Sequence, residues 1–221
     1  MFIGHYSAAL VAATHRRAPG LGLLFVAAQF VDFAFFGLSL ASIERFRIVP
    51  GITAVSPLDL YHMPYTHSLL GSAIFAIIFA ALVWFATRNR VAAILGGAVV
   101  LSHWFLDLLV HRPDLTLAGA PPKFGLGLWD SPAIEIPLEL ALTFGALAFY
   151  IMRTRPAAPR GGFSVTLLAL LLLALGLINW FGPPPTEVRA AALTGLLAFA
   201  ILAGAAYWVG INRQLKAAYL Q

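Results

Sequence analysis

The sequence has no cysteine and very few charged residues. Only 10% of its 221 residues are Asp, Glu, Lys or Arg, against about a quarter in a typical soluble domain. Without cysteine, this chain can form no disulfide, thiolate zinc site or iron–sulfur cluster of its own. Hydrophobic residues make up 61% of the chain and lie in long runs. The composition therefore predicts an integral membrane protein.

Sequence motifs of several enzyme classes are also missing. The chain has no HExxH or GxSxG motif, and no Walker or dinucleotide-binding glycine pattern. Its six histidines are too few for the histidine boxes of membrane di-iron oxygenases. The net charge of +5 is scattered over the short segments between apolar runs, as in loops of membrane proteins. We therefore expect no nucleic-acid partner.

Six apolar segments have the length of a membrane span, about 17–21 residues each. They are Leu21–Ala41, Leu69–Ala86, Val91–Val110, Ala133–Ile151, Val165–Phe181 and Ala190–Val209. A shorter apolar segment, Phe2–Thr14, predicts an interfacial or partly inserted helix. The fold class we expect is all-α, a polytopic transmembrane helix bundle. Small residues in the second and third spans permit close helix packing, within one chain or in a homo-oligomer.

The distribution of Lys and Arg over the loops predicts the orientation. Nine lie on the side of the termini and five on the other, which favours both termini in the cytoplasm. Residues 153–162, rich in Pro, Gly and Arg, predict a hinge between two units. The first, residues 1–152, is a four-span unit with all the histidines. The second, residues 163–221, is an apolar two-span hairpin with a C-terminal tail.

Two histidines and an aspartate recur at four-residue intervals in the third span: His103, Asp107 and His111. A step of four residues returns to nearly the same face of a helix, so His103 and Asp107 lie one above the other. An intramembrane carboxylate costs at least ~3 kcal/mol on insertion scales and is usually paired. The pattern indicates half of a metal site, an acid/base pair or a structural hydrogen-bonded pair.

Further ionisable residues lie at a similar depth in three other spans. Asp32 lies in the middle of the first span, His67 begins the second, and Glu135 and Glu139 begin the fourth. Groups that are costly in lipid should face one another, so we expect one composite site toward one end of the bundle.

Several ionisable residues have a simpler interpretation. His111 borders a loop and can equally be an interfacial histidine, and Glu135 suits the first turn of a helix. We expect His15 and His62 to be solvated. Five acidic residues are interpreted as loop or cap charges: Glu44, Asp59, Asp114, Asp130 and Glu187.

Together these stretches resemble a known family. Gly4-His5, Asp32, His62-Met63-Pro64-Tyr65-Thr66-His67-Ser68 and Ser102-His103-x3-Asp107 occur in the same order in the bacterial inner-membrane family of membrane-bound metal-dependent hydrolases (YdjM-like). That family's pattern is G-H, P-D-x-D, H-R-G-x-T-H-S and S-H-x3-D, with a later glutamate. The resemblance covers roughly residues 1–140. Here the first carboxylate of P-D-x-D is absent and Met63-Pro64 replaces Arg-Gly, which is typical of a divergent member.

The resemblance implies a divalent metal, which we expect to be zinc, although nitrogen and oxygen ligands also suit manganese or iron. The metal ligands it implies are His5, His67, His103 and Asp107, and the four-residue pattern adds His111. The catalytic carboxylates are Asp32 and Glu139. His5 precedes the first span, so it can join the others only if the segment 2–14 dips into the bundle.

Two functions follow from these residues. The first is metal-assisted hydrolysis of an ester or phosphoester, in a lipid or another small molecule reached from the bilayer of the bacterial inner membrane. The second is non-enzymatic: a proton or ion relay, or a scaffold held by a polar network. A metal site brings three or more ligands to one point, whereas a relay spreads them along the membrane normal.

Overall fold

The structure, a computed structural model, describes residues 1–219. Its α-helices in this range are α1 (Tyr6–Ala12), α2 (Leu21–Ala28), α3 (Phe30–Leu40), α4 (Leu69–Thr87), α5 (Arg90–Val110), α6 (Pro132–Arg153), α7 (Gly161–Phe181) and α8 (Val188–Asn212). Short 3-10 helices cover Ile3–His5, Leu128–Asp130 and Ala217–Tyr219. Antiparallel two-stranded ribbons pair β1 (Arg45–Ile48) with β2 (Leu58–His62), β3 (Leu115–Thr116) with β4 (Lys123–Phe124), and β5 (Thr154–Pro156) with β6 (Arg213–Leu215).

The helices confirm the predicted all-α membrane bundle. Helices α4 to α8 are each long and apolar enough to cross a membrane, and α2 with α3 passes the same test as a pair bent by 53°. The outer face of α4 exposes large apolar side chains, as a face in contact with lipid requires: Leu70, Ile74, Ile77, Leu82 and Phe85. The chain is thus a multi-pass membrane protein. The break in its first span, at Gln29, is a feature that the apolar run does not predict.

Caps and small residues fix how α4 and α5 pack. The Ser68 hydroxyl accepts a hydrogen bond from the Gly71 N–H at the start of α4, and Asn89 caps α5 through the N–H groups of Val91 and Ala92. The two helices then pack closely because α5 carries Gly97, where a Cβ would lie 3.0 Å from a carbonyl oxygen of α4. This packing brings the start of α4 beside the end of α5.

The N-terminal segment is inserted into the bundle. Ile3, His5, Tyr6 and Leu10 are buried, and α1 packs against α2, α5 and α6. The ring of Tyr6 stacks on that of Phe25 with centroids 4.4 Å apart. The expectation of an interfacial or partly inserted helix is therefore resolved in favour of insertion.

The last two helices pack against the rest of the bundle. The ring of Phe199 in α8 lies within 6 Å of the rings of Phe2, Phe33 and Phe36. In the segment 153–162, β5 pairs with β6 at the end of α8. The division into units 1–152 and 163–221 stays a prediction, and residues 220 and 221 of the predicted tail lie outside the described residues.

Candidate metal centre

Helix α5 carries the centre of the cluster, Asp107. Its Oδ2 lies 3.0 Å from Nε2 of His103, one turn earlier, and its Oδ1 lies 3.5 Å from Nε2 of His111, one turn later. The four-residue spacing therefore brings both imidazoles to the same carboxylate, as the helical periodicity predicts. All three side chains are buried.

Two other elements bring Asp32 and His67 to this carboxylate. Asp32 lies in the first turn of α3, where the positive end of the helix dipole favours a carboxylate. Its Oδ1 is 3.4 Å from Nε2 of His67 and 3.5 Å from Nε2 of His103. His67, just before α4, is also 3.7 Å from Oδ2 of Asp107. The cluster thus unites residues from three of the four spans that were expected to contribute, and the contacts of Asp107 do not include Glu135 or Glu139 of the fourth.

The break in the first span orients His103. Helix α2 ends at Ala28, and the last carbonyl groups of a helix have no partner within it. Nδ1 of His103 lies 2.9 Å from the Ala28 carbonyl oxygen. Because a carbonyl only accepts, Nδ1 carries the proton, and in the neutral ring the Nε2 lone pair faces the carboxylates.

A buried chain of hydrogen bonds orients His67 in the same way. Glu44 accepts from the N–H groups of Tyr65 and Thr66, and from the Thr66 hydroxyl at 2.6 Å. That hydroxyl has donated its one proton, so it accepts from Nδ1 of His67, 2.8 Å away. Nε2 of His67 is again the atom that faces the cluster.

His111 is held by Asp114, at the start of a network that reaches the surface. Nδ1 of His111 donates to Oδ1 of Asp114 at 2.8 Å. Arg112 contacts both Asp114 and Asp59, and Asp59 also accepts from Arg47, whose side chain is 65% exposed. Burial lowers the pKa of His111, but the carboxylates of Asp107 and Asp114 outweigh it and raise the pKa overall.

His5 reaches the cluster because the N-terminal segment is inserted. Its Nε2 lies 3.0 Å from Oδ1 of Asp107, and its ring stacks on that of His103 at a centroid distance of 3.8 Å. The Met1 amino group lies 2.9 Å from the same oxygen. The Nδ1 atoms of His67, His103 and His111 have hydrogen-bond partners, whereas Nδ1 of His5 has none.

Glu139 lies beside the N-terminal segment and uses both of its oxygens there. Oε1 accepts from the N–H groups of Phe2 and Gly4, and Oε2 accepts from the Trp180 indole at 3.2 Å. The carboxylate therefore anchors the segment that carries His5. Glu135 is buried near it, with Oε2 unpartnered.

The described residues contain two groups whose ligand atoms lie within 4.8 Å of one another: His67, His103 and Asp107, and His5, Asp32 and His103. His111 belongs to neither group, and its Nε2 lies nearest to Oδ1 of Asp107 rather than to Oδ2, which faces His67 and His103. His15 and His62 are exposed, as their sequence context indicates.

The residues that hold the ligands in place differ from those expected from the sequence. Glu44, Asp59 and Asp114 were expected as ordinary loop or cap charges, yet all three are buried and hydrogen-bonded. Two local signals point to this network: Asp114 follows His111 by three residues, and the hydroxyl of Thr66 immediately precedes His67. No local signal marks Glu44, which is 23 residues before His67.

Comparison with known proteins gives one similarity that covers part of the chain. A triacylglyceride transporter of Mycolicibacterium smegmatis is 30% identical over 100 residues, which span 42% of this chain and 17% of the transporter. No family model matches the sequence, and no solved structure matches it.

Proposed function

We propose that the protein is a membrane-embedded, metal-dependent hydrolase that acts on an ester or phosphoester of a lipid. Its site holds a divalent ion, zinc in our proposal, between His67, His103 and Asp107. The observation that carries the proposal is that each imidazole of this group has its Nδ1 engaged elsewhere and its Nε2 aimed at the same carboxylate. Outer hydrogen bonds of this kind are the rule for metal-ligating histidines.

The distances between donor atoms suit an ion of this size. Nε2 of His67 and Nε2 of His103 lie 3.7 Å and 3.0 Å from Oδ2 of Asp107. Ligands at about 2.0–2.1 Å from a tetrahedral ion are about 3.3–3.4 Å from one another. Nε2 of His103 is also buried without a hydrogen bond, so its lone pair is available to a cation.

The bound ion would supply Lewis-acid chemistry and a water that is easily deprotonated. Asp32 is the residue placed to accept the proton, because its side chain is 17% exposed whereas those of His67, His103 and Asp107 are at most 4% exposed. Access to the cluster is therefore on the side of Asp32. Glu139 is less suited to this role, since three N–H groups already occupy its oxygens.

Three observations support a lipid substrate in the bacterial inner membrane. The cluster lies among membrane-spanning helices, where substrates arrive from the bilayer. The sequence resembles the YdjM-like hydrolases through the motifs that carry these residues. The partial similarity to a triacylglyceride transporter also supports a lipid-related role. The distribution of Lys and Arg favours both termini in the cytoplasm.

A proton relay is the second candidate, and one observation favours it. Asp107, His111, Asp114, Arg112 and Asp59 form a continuous polar string from the cluster to exposed Arg47. A relay also needs polar groups toward the opposite face. In that direction α1 presents Ala9 and Leu10 to the core, and this arrangement favours the hydrolase.

Hydrolysis in vesicles tests the proposal. We expect the protein in phosphatidylcholine vesicles containing triacylglycerol or phosphatidic acid to release fatty acid or phosphate. Asp32→Asn should lose most of this activity while it keeps its metal, and His62→Ala should behave like the parent. A metal-loaded parent that hydrolyses none of these lipids, but moves protons across the vesicle membrane, would replace the hydrolase with the relay.

A further inference from the structure

A groove of about 620 Å³ opens on the side of the bundle where α1 lies between α5 and α6. α1 ends at Ala12 and does not fill the space between the two longer helices. Small residues form much of its wall: Ala8 on α1, Ala98 on α5, and Ala141 and Gly145 on α6. A Cβ on Gly145 would meet no atom within 4 Å, so this glycine borders open space.

One end of the groove adjoins the metal cluster. On α1 the groove begins at Ser7, two residues after His5. On α5 it begins at Val99, one turn before His103. Along the N-terminal segment and along α5, the groove therefore begins within one turn of a histidine of the cluster.

The groove lies in the half of the bundle away from the β1–β2 ribbon. Along α6 it extends from Ala141 to Phe149, about 12 Å at 1.5 Å per residue, in the second half of a helix that ends at Arg153. The guanidinium of Arg153 lies 4.9 Å from the Phe149 ring, and a charged residue at the end of a span is expected near the headgroups. The groove thus runs from the cluster to the surface opposite the β1–β2 ribbon.

We propose that this groove holds one acyl chain of a membrane lipid whose ester group lies at the cluster. The identity of the reacting group rests on the proposed hydrolase function, whereas the acyl-chain site rests on the shape and position of the groove. The groove lies within the spanning segments, so its occupant must be apolar. The groove adjoins the cluster at one end and has a volume of about 620 Å³, so it can hold a single chain that extends away from the cluster.

Filling the groove tests this assignment. The probe is phosphatidylcholine with a photoactivatable diazirine near the end of one acyl chain, in vesicles that contain the protein. We expect crosslinks in the parent to concentrate on peptides from α1, α5 and α6 that border the groove. Gly145→Phe should lose them, and Ala141→Phe should lose them as an independent second variant. Gly204→Phe is the matched control, because Gly204 is an exposed helical glycine on α8 that also borders open space.

Three results would overturn the assignment. Crosslinks spread evenly over the lipid-facing sides of all helices would show no preferred site. Crosslinks that persist in both filled variants would place the chain elsewhere. A parent dimer that Gly145→Phe converts to a monomer would identify the occupant as a second copy.

The same probe separates this assignment from the hydrolase proposal. We expect His103→Ala to lose metal and hydrolysis but to keep the crosslinks in the groove, since no groove contact involves that imidazole. Groove crosslinks in a parent that binds no metal would support the acyl-chain site and reject the hydrolase. A parent that binds metal and hydrolyses lipid but gives no groove crosslinks would support the hydrolase and reject the acyl-chain site.

Discussion

Nδ1 of His103 donates a hydrogen bond to the carbonyl oxygen of Ala28, 2.9 Å away on a different helix. The acceptor is available because α2 ends at this residue and the first span bends there by 53°. The same bend starts α3 at Phe30, so Asp32 lies in the first turn of a new helix. One break in a membrane helix therefore orients a ligand and places a carboxylate beside it.

The two histidines on either side of Asp107, His67 and His111, should differ in their effect on metal binding. His67 lies on the side of Oδ2, with His103, whereas His111 lies on the side of Oδ1. We expect His67→Ala to lose the metal and His111→Ala to retain most of it. Elemental analysis of the two purified variants measures this. Equal loss in both would place the ion between His111 and His67 instead.

Glu44 should raise metal affinity without touching the metal. In Glu44→Gln an amide NH2 group replaces one acceptor oxygen, so one of the N–H or O–H groups of Tyr65 and Thr66 loses its partner. Loss of such outer hydrogen bonds typically weakens metal binding by about 10–100-fold. Titration against a fluorescent zinc chelator measures the change. Glu187→Gln, at an exposed loop position, is the control, and an equal effect there would contradict the role of Glu44.

Glu139 should hold the N-terminal segment in the bundle. Glu139→Ala leaves the N–H groups of Phe2 and Gly4 without their acceptor, and an unsatisfied buried donor costs about 1–3 kcal/mol. We expect faster hydrogen–deuterium exchange in the peptide 2–12, read by mass spectrometry. Exchange in α7 away from Trp180 should not change. Unaltered exchange at the N-terminus would show that apolar packing alone retains the segment.

Because α2 packs closely on α8, replacing Gly22 by any residue with a side chain should destabilise the protein. A Cβ there would lie 2.6 Å from the Cβ and 2.8 Å from the Cα of Tyr207, so the helices must move apart. We expect Gly22→Ala to lower the free energy of unfolding by about 1–3 kcal/mol, as overpacking does. Thermal unfolding in detergent measures the effect, with Gly204→Ala as the control. If Gly22→Ala melted at the temperature of the parent, α2 and α8 could not pack as closely as these contacts require.

The helices and the inner residues of the cluster could be predicted from sequence because each follows from local periodicity. The apolar runs predict the spans, and the four-residue spacing of His103, Asp107 and His111 predicts their shared face. The cost of burying charge in lipid then predicts that Asp32, His67, Glu135 and Glu139 meet them. The structure confirms the bundle and brings Asp32 and His67 to these three side chains, whereas Glu139 contacts the N-terminal segment instead.

Features that depend on distant parts of the chain could not be predicted. The bend at Gln29 has no proline or helix-breaking cluster to indicate it. The burial of Glu44 depends on the loop before α4 folding back onto it. The family resemblance implies His5 as a ligand, but the packing of the short N-terminal helix between longer ones, which brings His5 to the cluster, has no local signal. Each of these depends on tertiary packing, which local patterns do not encode.

Metal content decides whether the His67–His103–Asp107 cluster binds an ion. The detergent-purified protein is analysed by elemental mass spectrometry beside His103→Ala, Asp107→Ala and the exposed-site control His62→Ala. We expect about one equivalent of zinc in the parent and in His62→Ala, as for a site with one set of ligands, and loss of the metal in His103→Ala and Asp107→Ala. A folded, monodisperse parent without metal, or metal retained in both cluster variants, would contradict it.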